Sequence, residues 1–240
     1  MTDLNDSFHL YRFDYLGQRF GRRLVARLLE EELGPPRAAR RVLDVGSGTG
    51  AWRPVLEGHA RDYVGLDLKP GPAVQVVASA EAMPFADDQF DLVFSNAMLE
   101  HVRDYRAAVA EMFRVVKPEG LVLLGTHGVW ELHGEPHDYW RWTPHGLRET
   151  FRAFAETRVV QLGGPWMNYF LLRNLYLRRW QERHPRLRAL VSPFMVWNNL
   201  LGRSDAERRE PPAALAVFYY VLAKKNRTGP AGAAPGPAAG

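Results

Sequence analysis

The chain has 240 residues, of which 46% are hydrophobic and 24% are charged, a globular composition that excludes a fibrous or disordered protein. Because it contains no cysteine, disulfides, thiolate metal sites and a cysteine nucleophile are excluded. The net charge is +4, and no apolar stretch approaches the roughly 18–20 residues that a membrane span needs.

The first predicted element is a helix over residues 8–33. Leu24, Leu28 and Leu29 recur at helical spacing, and Gly34-Pro35-Pro36 ends the run. Residues 1–17 are acidic and interrupted by polar side chains, which is unlike a secretory signal. We therefore expect a cytoplasmic protein.

From residue 41 onward, predicted strands and helices alternate. Apolar stretches predict strands over residues 41–45, 62–68, 74–78, 90–95 and 121–126. A helix is predicted over residues 104–116, and Lys117-Pro118-Glu119-Gly120 ends it. This alternation predicts a parallel sheet with helices on both faces.

Proline pairs predict two helix starts in the second half. Thr143-Pro144 is typical of an N-cap followed by proline, and predicts a helix to about Phe154. Ser192-Pro193 has the same pattern, and Gly202 is placed to end that helix.

Two strands are predicted to close the sheet, over residues 158–162 and 215–225, as an antiparallel pair. The remaining tail, residues 226–240, consists almost entirely of Gly, Pro and Ala. We expect this tail to be disordered, because it offers few side chains to bury.

The most informative segment is the glycine-rich turn after the first strand, Val42-Leu43-Asp44-Val45-Gly46-Ser47-Gly48-Thr49-Gly50. Glycines in a strand-to-helix turn let the backbone approach a ligand closely, and the following helix presents free N–H groups. Asp67 ends the second strand, where a carboxylate can accept both hydroxyls of a ribose. The pattern predicts a nucleoside-containing cofactor.

The glycines alone leave the cofactor open, since Gly46, Gly48 and Ala51 also fit the dinucleotide pattern. Asp44 lies just before the turn, where it suits a cationic amino group better than a pyrophosphate, and Gly50 adds a third glycine. This segment resembles motif I of the class I S-adenosylmethionine-dependent methyltransferases.

The resemblance continues to about residue 127. Glu81-Ala82-Met83-Pro84-Phe85 and Phe90-Asp91-Leu92-Val93-Phe94-Ser95 resemble a block of the small-molecule, methyltransferase type 11-like branch. Leu99-Glu100-His101-Val102 and Val116-Lys117-Pro118-Glu119-Gly120 match its next landmarks. The resemblance implies a Rossmann-like α/β fold: a seven-stranded, mostly parallel sheet with helices on both faces and a helical insertion before the last strand.

The resemblance also implies one methyltransferase domain over residues 1–225. Its expected parts are an N-terminal helical cap (1–34), a cofactor-binding half (40–127), a substrate-side loop and helix (128–162), a helical insertion (163–212) and the last strand (213–225).

S-adenosylmethionine is the cofactor that the resemblance implies, with S-adenosylhomocysteine as product. The family usually has an Asp for the adenine amino group where this chain has Ser79. The implied cofactor-binding residues are Asp44, Gly46, Ser47, Gly48, Gly50, Asp67, Leu68, Ser79, Ala80, Glu81, Asn96, Ala97 and His101.

After the fifth strand, a segment that faces the substrate in this family is rich in histidines and aromatic residues. Residues 136–143 (PHDYWRWT) resemble the signature of a bacterial subgroup. Tyr139, Trp140 and Arg141 are the implied substrate contacts. For Arg141, a salt bridge with Asp138 that fixes the loop is the alternative.

Methyl transfer to a hydroxyl group needs an acceptor held in line and a base that removes its proton. His101, His133 and His137 are the candidate catalytic residues, and hydrogen bonds to the loop backbone are the alternative role. A zinc site from His127, His133 and His137 is less favoured because the ligand spacing is unconvincing, so no metal is expected.

Residues 165–204 carry seven arginines against Glu182 alone, a local charge of +6. Apolar residues that include tryptophans recur there at helical spacing. The composition suits helices that contact the anionic inner face of a membrane or a lipid-linked acceptor. The alternative is a helical lid whose arginines are merely solvated.

The resemblance predicts an enzyme that methylates a small-molecule or lipid- or sugar-linked acceptor, at oxygen, by in-line displacement. The alternatives are an NAD(P)-dependent Rossmann oxidoreductase, for which no Tyr-x-x-x-Lys pair is present, and a non-catalytic adaptor of the same fold. No nucleic-acid partner is expected, because Ser95-Asn96-Ala97-Met98 lacks the Asn/Asp-Pro-Pro-aromatic motif of that chemistry.

Overall fold

The computed structural model describes residues 10–36, 40–208 and 216–226, and these form two compact units. The helical unit comprises the described residues within Met1–Gly34 and Gln161–Phe218. The sheet unit comprises the described residues within Pro35–Val160 and those from Tyr219 onward. The tail predicted to be disordered lies outside the described residues, except for Asn226.

The central feature of the sheet unit is a seven-stranded sheet with the order β3-β2-β1-β4-β5-β7-β6. Its strands are β1 (Arg40–Val45), β2 (Ala60–Asp67), β3 (Val76–Val77), β4 (Phe90–Asn96), β5 (Val116–His127), β6 (Glu156–Gln161) and β7 (Phe218–Lys224). β1 pairs in parallel with β2 and β4, β2 with β3, and β4 with β5. The predicted parallel sheet is therefore confirmed.

The central strands are buried because each contains a continuous apolar stretch, as expected for parallel strands covered on both faces. Phe90, Leu92, Val93 and Phe94 of β4 are all inaccessible to solvent. β6 and β7 run in opposite directions: Leu162 N donates to Phe218 O at 3.0 Å, and Ala155 N donates to Lys224 O at 2.9 Å. The predicted closing pair is antiparallel.

The start of β5 differs from the prediction, because Lys117-Pro118-Glu119-Gly120 does not separate the preceding helix from the strand. β5 begins at Val116 and contains this segment. The register shifts there, with Phe90 opposite Val116 and Leu92 opposite Leu121. Glu119 has a left-handed backbone with φ 63°. The extra residues therefore form an irregularity within the strand.

The helices of the sheet unit are α2 (Arg53–Leu56), α3 (Tyr105–Val115) and α4 (Pro144–Thr150). Asp104 caps α3 by accepting from Ala107 N at 3.0 Å. Thr143 caps α4, as its sequence predicted, by accepting from Gly146 N at 3.1 Å. α4 ends four residues before the predicted Phe154.

The helical unit consists of α1 (Tyr15–Leu33), α5 (Pro165–Arg183) and α6 (Arg188–Gly202), which pack on one another. The prediction that Ser192-Pro193 starts a helix is wrong, because α6 begins at Arg188 and Pro193 lies inside it. The Ser192 hydroxyl donates back to Arg188 O at 3.1 Å instead of capping. Gly202 ends α6 as predicted. Among the described residues, no helix is both long and apolar enough to cross a membrane.

Candidate functional site

The glycine turn between β1 and α2 is shaped by backbone geometry that other residues do not fit. Gly46 has φ 82°, and a Cβ there would lie 2.9 Å from the Met98 side chain. Gly50 has φ 78°, and a Cβ there would lie 2.8 Å from Ala73. Both positions need glycine for conformation and for space.

Asp67 joins this turn to the end of β2. Gly48 N donates to Asp67 Oδ2 at 3.1 Å, and Ser47 N donates to Leu66 O at 3.1 Å. The sequence placed Asp67 beside the turn, and the structure brings the two together. Leu68 follows with its side chain 69% exposed.

Asp44 is a buried carboxylate at the carboxyl end of β1. It accepts a hydrogen bond from the Tyr63 hydroxyl at 2.6 Å, and burial raises its pKa to about 6. Within residues 10–36, 40–208 and 216–226, no lysine, arginine or histidine pairs with it. A buried acid of this kind is stabilised by a cation that the chain itself does not supply.

Polar atoms without partners lie at the end of β4. Ser95 Oγ and Asn96 Oδ1 are buried and form no hydrogen bond with the described residues. Ala97 has a left-handed backbone with φ 53°, and its N–H donates to Gly125 O at 2.8 Å. Orphaned buried polar atoms next to a strained residue are typical of a ligand site.

These features share one edge of the sheet, because β1 lies between β2 and β4 and all three are parallel. The chain runs from β1 to β2 on one side and from β4 to β5 on the other, so the strand order reverses between β1 and β4. Ligands of open α/β sheets bind at such a switch point. The predicted residues Asp44, Asp67 and Asn96 therefore lie at the carboxyl ends of three adjacent strands.

Three of the implied cofactor-binding residues, Ser79, Ala80 and Glu81, form a local turn. Glu81 N donates to Ser79 Oγ at 3.1 Å, and Glu81 Oε1 accepts from Asp104 N at 2.9 Å, at the start of α3. Ala80 is buried beside them. Their contact with the cofactor remains a prediction.

Three imidazoles cluster at the ends of β4 and β5, and two of them, His127 and His133, face one buried carboxylate. The ring of His133 lies 4.7 Å from that of His101 and 4.9 Å from that of His127, centroid to centroid. Glu100 is inaccessible to solvent; it accepts from Thr126 Oγ1 at 2.8 Å and pairs with His127 Nδ1. Burial raises the Glu100 pKa, but the hydrogen bond and charge of His127 outweigh burial and hold that pKa below its ordinary value.

The sequence did not assign a role to Glu100. It was noted only as part of the landmark Leu99-Glu100-His101-Val102. The available signal was an acidic residue four positions after the end of β4, a strand with a continuous apolar stretch at Leu92–Phe94. Its partner His127 lies 27 residues away, at the end of the neighbouring strand β5.

His137 does not join the three imidazoles. Its Nδ1 hydrogen-bonds the Tyr139 hydroxyl at 2.8 Å, and its carbonyl pairs with His101 Nδ1 at 2.6 Å. The zinc triplet considered from the sequence, His127, His133 and His137, is thus not brought together as a ligand set.

The remaining predicted substrate contacts are tied into the loop after β5. Arg141 binds both oxygens of Asp138 at 2.7 Å and also donates to the carbonyls of Trp130 and Glu131. Trp140 Nε1 donates to Val102 O at 2.9 Å. The salt bridge considered for Arg141 is present, and contact of these residues with a substrate remains a prediction.

Comparison with known proteins gives a consistent picture. Residues 43–124 match the family model described as "Methyltransferase domain". A malonyl-[acyl-carrier protein] O-methyltransferase from Halorhodospira halophila is 37% identical over 142 residues, which cover 50% of this chain and 48% of that protein. An uncharacterized methyltransferase from Mycobacterium leprae is 38% identical over 109 residues, 40% of each protein. The chain thus spans half or less of these curated relatives.

Solved structures share the fold at low sequence identity. Phosphoethanolamine N-methyltransferase 2 from Haemonchus contortus, in complex with S-adenosyl-L-methionine, has a TM-score of 0.55 at 17% identity, covering 94% of this chain and 59% of that one. The [4+2]-cyclase SpnF has a TM-score of 0.55 at 18% identity, covering 85% and 81%. Residues 43–124 are therefore similar to a methyltransferase domain, and the seven-stranded sheet has the Rossmann-like fold of these solved structures.

Proposed function

We propose that the protein is an S-adenosylmethionine-dependent methyltransferase that methylates oxygen on a small-molecule or a lipid- or sugar-linked acceptor. The observation that carries this proposal is Asp44, a buried carboxylate without a cationic partner in the described chain, beside a turn that only glycine fits. The ammonium group of S-adenosylmethionine is a cation of the right kind. The O-methyltransferase among the relatives supports oxygen as the acceptor atom.

The described residues fit this cofactor. Asp44 and the backbone of residues 46–50 would hold its amino acid part, and Asp67 would accept from the ribose hydroxyls. The exposed Leu68 offers an apolar face to adenine, and Asn96 Oδ1 is an acceptor without a protein partner. When bound, S-adenosylmethionine supplies a methyl group on a sulfonium, which is already activated for displacement.

The chain must then hold the acceptor and remove its proton. His101 and His133 each bind a backbone carbonyl through Nδ1, that of His137 at 2.6 Å and that of Glu131 at 3.1 Å. A neutral imidazole that donates from Nδ1 keeps a basic Nε2, the atom that can accept a proton. Burial lowers the pKa of His133, which favours this neutral form near pH 7.

The first experiment is calorimetry with S-adenosylmethionine, S-adenosylhomocysteine and NADH. We expect binding of the first two and none of NADH, and at least a tenfold loss in Asp67→Ala, about 1.4 kcal/mol. Asp62→Ala is the matched control, since Asp62 lies in the same strand with an exposed side chain. Binding of NADH alone would support the oxidoreductase alternative.

Cofactor binding alone does not demonstrate methyl transfer, because one fold can host other reactions, as the related cyclase illustrates. Production of S-adenosylhomocysteine with hydroxylated and carboxylated acceptors separates the enzyme from the adaptor alternative. A protein that binds the cofactor and turns over no acceptor would favour the adaptor.

The helical unit supports a second proposal, that α5 and α6 contact an anionic membrane surface or a lipid-linked acceptor. Large apolar side chains on these helices are exposed: Trp166, Tyr169, Tyr176, Trp180, Leu190, Phe194 and Trp197. Aromatic side chains interleaved with arginines suit the interface of an anionic bilayer, and a soluble helix rarely exposes so many.

Sedimentation with liposomes tests this contact. We expect more protein to pellet with anionic than with neutral vesicles at low salt, and Phe194→Ala/Trp197→Ala to reduce that fraction. Val77→Ala, an exposed apolar residue on β3, is the control that should leave it unchanged. An equal fraction of pelleted protein with both vesicle types would favour the alternative that these helices form a lid with solvated arginines.

A further inference from the structure

We propose that Glu100, His127 and His133 form a binding site for a divalent transition-metal ion of the Zn²⁺ or Fe²⁺ class. One carboxylate oxygen and one imidazole nitrogen from each histidine lie within 4.8 Å of one another. Two imidazoles and a carboxylate form the donor set that these ions take in open, three-ligand protein sites.

The fold brings these ligands together from three separate places. Glu100 lies in the single 3₁₀ turn Leu99–His101 that follows β4, and His127 is the last residue of β5. β4 and β5 are parallel neighbours, so their carboxyl ends are adjacent. The loop after β5 returns to supply His133, whose ring contacts that of His127.

Hydrogen bonds orient the ligand atoms. His133 pairs with Glu131 O through Nδ1 at 3.1 Å, and its Nε2 lies 4.0 Å from Glu100 Oε1. A metal-bound imidazole usually donates its other N–H to such a carbonyl. The second oxygen of Glu100 accepts from Thr126 Oγ1 at 2.8 Å, which fixes the carboxylate plane.

The charge of the site also favours a cation. Glu100 is fully buried, and in the described part of the chain its partners are Thr126, His127 and His133, with no lysine or arginine in an ion pair. Removing a carboxylate from water is expensive without a compensating positive charge. In the absence of an ion, the pair with His127 stabilises the carboxylate; a divalent ion takes over that role when both imidazoles act as neutral ligands.

A second possible ligand set shares His133 but is less suited. His101, His133 and Asp138 also have ligand atoms within 4.8 Å of one another. However, Asp138 already binds the Arg141 guanidinium through both oxygens, at 2.7 Å each. An ion there would have to displace that pair, so the Glu100 set is the one we propose.

The role of the ion rests on the proposed function, but its binding does not. An ion bound to His133 Nε2 would leave His101 as the base for the acceptor. It would also give an acceptor oxygen a positively charged partner next to that base.

The test is a Co²⁺ titration of the full chain, without a histidine tag and stripped with a chelator, followed by visible spectroscopy and Zn²⁺ competition. We expect one ion per chain with ligand-field bands of a nitrogen- and oxygen-bound site. His133→Gln and Glu100→Gln should each weaken binding by on the order of 100-fold. His145→Gln, an exposed histidine on α4, is the control that should bind as the unmodified chain does.

Unfolding curves check that both variants are folded. His133→Gln is less disruptive to folding than Glu100→Gln, because the His133 side chain is partly exposed and that of Glu100 is buried. Absence of saturable binding, or equal binding by His133→Gln and the unmodified chain, would overturn the site. Calorimetry of the stripped protein with S-adenosylhomocysteine separates the two proposals. Nucleoside binding without metal binding removes the metal site alone, whereas metal binding without nucleoside binding removes the proposed function alone.

Discussion

Asp44 links ligand binding to the stability of the sheet unit. Burial raises its pKa to about 6, so between about pH 4 and pH 6 the folded chain binds more protons than the unfolded chain. Stability therefore falls as the pH rises through this window. At pH 7 Asp44 is ionised in the folded chain, and its burial then lowers the free energy of unfolding by the full amount, about 2–3 kcal/mol.

The Asp44→Asn variant should lose this pH dependence. We expect its unfolding free energy relative to the unmodified chain to rise by about 2–3 kcal/mol from pH 4 to pH 7, measured by urea denaturation. At pH 7 its affinity for S-adenosylhomocysteine should fall at least tenfold, because the amide offers no negative charge to an ammonium group. A variant that is both less stable at pH 7 and unchanged in affinity would contradict this role.

Gly46 is a second residue whose replacement has a defined consequence. Gly46→Ala combines a left-handed backbone with a Cβ 2.9 Å from Met98, and should lower the unfolding free energy by about 1–3 kcal/mol. Gly17→Ala is the control, since a Cβ there meets Leu171 at an ordinary 3.5 Å inside α1. That change should be neutral or stabilise by about 0.5–1 kcal/mol. Equal effects of the two changes in urea denaturation would disprove the steric argument.

At the residue scale, the sequence predicted the parts of the site that one local pattern encodes. Asp44 and Asp67 follow from their positions relative to the glycines, because a strand, a turn and a second strand fix both. Glu100 and His127 could not be paired from the sequence. Their contact depends on β4 and β5 being neighbours, and the order of strands is a property of the whole sheet.

At the scale of elements, the contact between α5 and α6 depends on buried amides. Asn174 Nδ2 donates to Asn199 Oδ1 at 2.8 Å, and Asn198 Nδ2 donates to Asn174 Oδ1 at 2.7 Å. All three side chains are inaccessible to solvent. Hydrophobic spacing predicts such helices, but the polar residues inside the contact specify their register.

Truncation of the central amide should destabilise the helical unit. Asn174→Ala leaves a buried donor on Asn198 and a buried acceptor on Asn199 without their partner, so we expect a loss of about 2–4 kcal/mol in urea denaturation. Tyr176→Ala on the same helix is the control, because that side chain is 77% exposed. Its effect should stay within about 0.5 kcal/mol. A loss of that small size in Asn174→Ala would show that the amide network adds no stability.

The elements also show where sequence patterns fail. Most strands were predicted to within about three residues because their apolar runs are bounded by charged or glycine residues, but β5 begins at Val116 rather than at residue 121. The start of α6 was misplaced because Ser192-Pro193 has the pattern of a cap, and a proline is unusual beyond the first turn of a helix. The preceding Arg188, Ala189 and Leu190 are all strong helix formers, a signal that the cap pattern outweighed in the prediction.

At the scale of the molecule, the two units do not follow chain order. The first helix and the insertion before the last strand form one unit although more than a hundred residues separate them in the chain. The sequence predicted both segments as helical. It could not pair them, because an amphipathic pattern shows which face of a helix is buried but not which element covers that face. All residues predicted to bind the cofactor belong to the sheet unit.

This distribution predicts where ligand binding protects the backbone. In hydrogen exchange with S-adenosylhomocysteine, peptides that follow β1, β2 and β4 should slow by at least tenfold, because they line the switch point of the sheet. Peptides that precede β2 and β4, at residues 57–59 and 85–89, are the internal control at the opposite edge. In Asp67→Ala the protection should disappear at an equal ligand concentration. Protection confined to the opposite edge would place the ligand away from the glycine turn and contradict the site.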